Sequence, residues 1–239
     1  MRFILILVLA CFSLQGNSQD LKRGLREANA LVSNEQYAEA LEKFIWIHEK
    51  ALENEKDIEW YHFSFAMEIW KGFGEKYPPA LQALKDIRDR QSAVLKSCGT
   101  DLKLFQDVVA INTCLKEESE SIALFSIIMK QSPEFAILCW DSIAGYLFKT
   151  KSFEIIGKMV KDPVAEYSRY ENMWKPVRDI SDEPKNSDFK KMAEDLYVER
   201  VLSFIEFSTF IADKESARVI KKRALAVVDN QKIKEIIVE

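Results

Sequence analysis

Four stretches of this 239-residue chain repeat one spacing. Tyr37-Ala40-Phe44, Ala80-Ala83-Ile87, Glu118-Ser121-Phe125 and Phe153-Ile156-Val160 each set interface-type residues at offsets of three and then four. Residues at those offsets share one face of an α-helix. The copies recur at intervals of roughly 35 to 43 residues, the length of one helical hairpin in a stacked array. A single hairpin leaves its apolar face uncovered, so units of this kind fold by packing on their neighbours.

The rest of the chain reads as helix after helix, with hardly any strand alternation. The apolar positions predict a first helix near Leu21 to Val32, with Gly24 inside it at a cost of about 1 kcal/mol relative to alanine. Asn34 is placed to cap a second helix with the face Tyr37, Ala40, Leu41, Phe44, Ile47 and Ala51. One aromatic helix is predicted from Ile58 to Phe73, with Gly72-Phe73-Gly74 as a hairpin turn. Pro78-Pro79 opens the next, because a first-turn proline forfeits no hydrogen bond. That helix closes near Ser97, with Gly99 in the left-handed position. Further helices are predicted at Asp101 to Leu115, Glu118 to Lys130, from Ser132-Pro133 toward Phe148, at Phe153 to Val160, and after Pro163. The polar segment Pro176 to Ser187 reads as a linker, and 188–239 as a C-terminal hairpin with a short helical tail.

Ala28, Tyr37, Ala40 and Phe44 follow a small–aromatic–alanine–aromatic spacing of nine, three and four. Val109, Glu118, Ser121 and Phe125 keep it, with Pro133 eight residues further on. In this the chain resembles the tetratricopeptide-repeat family. The departures are Glu118 at an aromatic position, a longer turn before Ala80, and no alanine in the Phe153 unit. The resemblance covers residues 20–160 and implies an all-α solenoid of antiparallel hairpins over 19–175. It also implies the family's usual role, the binding of peptides or other proteins.

Arg2 precedes an apolar run from Phe3 to Leu14, which gives way to Gln15-Gly16-Asn17-Ser18-Gln19. A short cationic start, about a dozen apolar residues and a small-residue exit make up a secretory signal peptide. The run is shorter than the roughly 20 residues needed to span a bilayer. Gly16 and Ser18 fit cleavage before Gln19, so residues 1–18 would be removed. A second reading takes Val8-Leu9-Ala10-Cys11 as resembling a bacterial lipobox, with Cys11 lipidated. Either reading predicts export, to the periplasm or the medium, and the second predicts a membrane anchor.

The net charge of −4 is small and well mixed, so composition points to neither nucleic acid nor an anionic membrane as partner. Three cysteines remain after cleavage, enough for one disulfide with one thiol over. Cys114 and Cys139 sit in apolar helical runs and read as buried; Cys98, beside Gly99, reads as exposed.

Little in the chain carries chemistry. There are only two histidines, His48 and His62. Glu59 and His62 have the Glu-x-x-His spacing of carboxylate-bridged metal bundles, but such a site needs a second copy, and His48 follows Ile45 instead. No HExxH, paired CxxC, GxSxG or glycine-rich phosphate loop occurs. The expectation is therefore no catalytic set, no metal and no cofactor. The candidate binding residues are Trp60, Tyr61 and His62, in the aromatic stretch Trp60 to Phe65, where tryptophan and tyrosine are favoured anchors for a partner. The sequence thus reads as an exported, non-enzymatic protein-binding scaffold. The alternative is an envelope assembly or structural lipoprotein held through Cys11.

Overall fold

A computed structural model describes residues 19–53, 55–63, 65–178 and 187–238. The expected signal peptide, and Cys11 within it, fall outside the described residues. Thirteen helices and no strand occur among those described, so the chain is all-α, as the periodicity predicts. The helices gather into two compact units, one ending at Ile143 and the other starting at Ala144.

The first unit holds α1 (Gln19–Ser33), α2 (Tyr37–Leu52), α3 (Glu55–Phe63), α4 (Ala66–Lys76), α5 (Pro78–Lys96), α6 (Leu102–Leu115), α7 (Glu118–Gln131) and most of α8 (Pro133–Lys149). Short turns bring α1 back on α2, α4 on α5 and α6 on α7. In addition α4 packs on α6 and α5 on α7. This packing of a helix on the next but one is what stacked hairpins require.

Ala40 and Phe44 are wholly buried, and Phe44 packs on Trp70 and Phe73 with ring centroids 5.6 Å away in both cases. The Trp70 indole N–H donates to the Ala80 carbonyl at 2.8 Å, tying α4 to the start of α5. Ser121, buried in α7 at a position where the repeat wants a small residue, accepts from Asn112 Nδ2 of α6 at 2.9 Å. A small side chain at a crossing lets two helices approach closely.

Several local expectations are corrected. The predicted single aromatic helix is two, α3 and α4, with Phe65 between them as the N-cap of α4. Gly72 and Gly74 lie inside α4 rather than in a turn, and the chain reverses at Tyr77. Gly74 is there for closeness: a Cβ on it would stand 2.7 Å from Leu81 Cβ and 3.0 Å from the Leu81 backbone nitrogen. Gly24 likewise lies where α1 crosses α2, with Trp46 and Ile47 against it.

Helix ends differ from expectation too. Asn34 does not cap α2; Gln36 holds the N-cap position without a side-chain bond. Asp101, by contrast, caps α6, accepting from the Lys103 and Leu104 amides at 2.9 and 3.3 Å. Left-handed residues close several helices, and none is glycine: Glu35, Cys98, Lys116, Lys151 and Ala212 have φ between 52° and 69°. At all five the next amide reaches back five residues to a helix carbonyl, the closing bond of a Schellman turn. Cys98, not Gly99, takes the left-handed place after α5. Gly99 is needed for the close approach of Val94, whose carbonyl oxygen would lie 2.7 Å from a Cβ there.

The second unit takes the end of α8 with α9 (Phe153–Met159), α10 (Pro163–Arg178), α11 (Ser187–Phe210), α12 (Lys214–Val227) and α13 (Gln231–Glu235). α10, α11 and α12 pack on one another, and α13 covers α11 and α12. Phe148, Tyr167, Tyr197, Phe204 and Phe207 form its centre, where the Tyr167 and Tyr197 hydroxyls share a hydrogen bond of 2.7 Å. Pro176 does not open a linker: α10 runs through it to Arg178, with Trp174 and Val177 buried. Residues 179–186 of the expected linker lie outside the described residues.

Candidate functional site

The first unit has a charged group at its core. Asp107 sits mid-way along α6, a helix buried almost all round by Phe105, Val108, Val109, Ala110, Ile111 and Cys114. Its carboxylate is wholly inaccessible, a position that costs several kcal/mol unless donors surround it. Three elements supply them. His48 of α2 stands one turn beyond Phe44 on the buried face of its helix, and its Nε2 lies 2.7 Å from Asp107 Oδ2. Gln91, one turn beyond Ile87 on α5, donates its amide to the same oxygen at 2.7 Å. His62, at the end of α3, brings its Nε2 to 2.8 Å from Oδ1.

A carboxylate only accepts, so both histidines carry their proton on Nε2 and donate it. Burial opposes ionisation of Asp107, but the charge of His48 and the bonds from His48 and His62 outweigh it. The carboxyl is held below the ordinary carboxylate range. Burial, then the Asp107 charge, pushes the Tyr61 phenol well up.

The surrounding groups are not activated for covalent chemistry. Burial pushes the Cys114 thiol up to about 12, with the nearby Glu68 carboxyl adding to it, and burial does the same for Cys139. A nucleophilic cysteine needs the reverse shift. All three described cysteines are free thiols, Cys98 exposed and the others buried, the exposures that the sequence predicts. Among the described residues no group of three histidine, cysteine or acidic side chains has the arrangement to hold a metal ion.

The three expected groove residues meet different fates. Trp60 belongs to α3, but its side chain lies outside the described residues. Tyr61 does not face a groove. It is 1% exposed and packs edge-on against the His48 ring at 5.5 Å, because the inner face of α3 is needed to cover α2 and α6. His62 is turned inward to Asp107, with its side chain 9% exposed. Asp107 and Gln91 are absent from the sequence reading, and His48 enters it only as a rejected metal ligand. A signal for the first was present, since Asp107 is the only charged residue between Lys103 and Lys116.

A second polar knot lies beside the first. Arg88 of α5 binds Asn112 Oδ1 at 2.9 Å and pairs with Glu117, while Lys85 reaches Glu117 at 3.2 Å. Next to it is an open cleft of about 170 Å³ between α5 and α7, lined by Arg88, Ser92, Lys96, Glu120 and Leu124 among others.

Comparison with protein-family models, with curated proteins and with solved structures finds no match to this chain.

Proposed function

We propose that this protein is an exported, non-enzymatic scaffold that binds another protein on its helical hairpins. The observation that carries this reading is on α8. Ile137 and Leu138 stand side by side on its outer face, 66% and 61% exposed, while Phe135, Ala136, Cys139, Trp140 and Ile143 on the same helix are buried. Folding of the chain gains nothing from two large aliphatic side chains left in water, and a contiguous exposed apolar patch is the kind of surface another molecule covers. The hairpin stack of the first unit supports the same reading, because stacked repeats present their helices to partners. So do the thiols that burial keeps protonated.

A photocrosslinking residue at Leu138 tests the scaffold reading in the producing cell. A discrete adduct that disappears when Ile137 is replaced by Ser supports it. Absence of any adduct at Leu138 overturns it.

The lipoprotein alternative rests on Cys11, and intact mass separates the two readings. A chain beginning at Gln19 supports cleavage after Ser18. A chain beginning at a lipidated Cys11 supports the anchored form, and an uncut chain overturns export.

A further inference from the structure

The chain has two histidines in 239 residues, and the fold brings both onto one carboxylate. They come from different helices, His48 from α2 and His62 from α3, and they approach different oxygens of Asp107. We propose that this centre is a proton-operated latch on α3: it holds the helix while at most one imidazole is charged, and a second proton releases it.

The argument is one of charge balance. Asp107 brings one negative charge into a place with no exposure to water. One imidazolium beside it makes the centre neutral, with the second ring donating as a neutral imidazole. A second imidazolium leaves a net positive charge in the core, which burial disfavours. The groups that face the carboxylate are His48 from α2, Tyr61 and His62 from α3, and Gln91 from α5. Glu68 and Lys71 of α4 approach the Cys114 thiol further along α6. Among the described residues, Asp107 is the carboxylate within reach of both imidazole Nε2 atoms.

The geometry also selects the part that moves. His48 is 2% exposed and held on a long helix between Phe44 and Ala51. His62 is nearer to water and sits at the end of a nine-residue helix. A charged ring gains hydration by swinging outward, and His62 is the one of the two placed to do so. With His62 gone from Asp107, α3 loses this polar tie to α6, and its own short length gives it little stability alone.

Hydrogen–deuterium exchange on the full chain tests this, with protection corrected for intrinsic rates, at about pH 7.5 and about pH 5. The expected result is that the amides of α3 lose protection by roughly tenfold or more in acid while those of α11 keep theirs. In His62→Gln, which keeps an amide donor without a titrating ring, α3 should exchange equally at both pH values. Unchanged protection of α3 in the wild type overturns the latch. So does an equal loss in α3 and α11, which is general acid unfolding, and so does a His62→Gln chain that responds like the wild type. Should that variant fail to fold, the wild-type comparison of α3 with α11 still decides.

Discussion

His48 and Asp107 lie 59 residues apart in the chain and 2.7 Å apart in the fold. Removing the carboxylate strands donors from three helices at once. Asp107→Ala should therefore cost about 3–5 kcal/mol, the range for breaking a buried charged pair from one side. Urea unfolding of the variant measures it, and a loss below about 1 kcal/mol contradicts this bonding.

The same carboxylate sets a pH dependence with a definite sign. Burial alone would raise its pKa, but the two histidines lower it below that of the unfolded chain. A depressed carboxyl contributes stability that is fully present above the unfolded value of about 3.9, and that is lost as pH falls through the folded one. Below about pH 4 the wild type should lose stability more steeply than Asp107→Asn. Parallel curves from thermal melts across that range would show that Asp107 does not contribute.

Packing at the first hairpin gives a third prediction. Ala40 is wholly buried beside Phe44, which lies on Trp70 and Phe73. Ala40→Leu should overpack the crossing by about 1–3 kcal/mol. Phe44→Ala should cost about 3–5 kcal/mol by opening a cavity. Circular dichroism melts of both variants check the hairpin, and unchanged melting would contradict it.

Two glycines in helices should behave differently. A methyl at Gly74 meets Leu81 Cβ and backbone, which cannot step aside, so Gly74→Ala should lose about 1–3 kcal/mol. A methyl at Gly24 meets first the far edge of the half-exposed Trp46 ring, at 2.9 Å, and then Ile47 at 3.2 Å. The ring can shift, and alanine favours the helix by about 1 kcal/mol, so Gly24→Ala should fall within about 1 kcal/mol of the wild type. Chemical denaturation of the pair settles the contrast.

The left-handed helix ends give the fifth. Cys98→Gly and Ala212→Gly place the residue without a Cβ where φ is 69° and 61°, and each should gain up to about 1 kcal/mol. Gly99→Ala should do the opposite, since its Cβ would press on the Val94 carbonyl. Melting temperatures that fall in Cys98→Gly would contradict this account.

The turns explain why helix ends were the least legible part of the sequence. Asn34 and Gly99 are the residues that local chemistry favours for a cap and a left-handed bend, yet Gln36 and Cys98 hold those places. Packing of the hairpin fixes where the chain must reverse, and a strain of about 1 kcal/mol at Glu35 or Cys98 is small against the apolar area so buried. The aromatic stretch misled for a related reason. Trp60 to Phe65 contains apolar residues round much of a helix, and only the packing of α3 on α2 and α6 shows that Tyr61 faces inward.

Periodicity alone determined the class of fold, the faces that carry Ala40, Phe44, Ala80 and Phe125, and the burial of Cys114 and Cys139. Those follow from 3.6 residues per turn and from the cost of apolar surface in water, both local properties of the chain. The tertiary structure decided the rest. It broke the aromatic helix in two, left Ile137 and Leu138 in water, and joined His48, His62 and Gln91 on Asp107. No sequence spacing encodes that meeting, because its members are 16 to 59 residues from Asp107 and are brought together only when the hairpins stack.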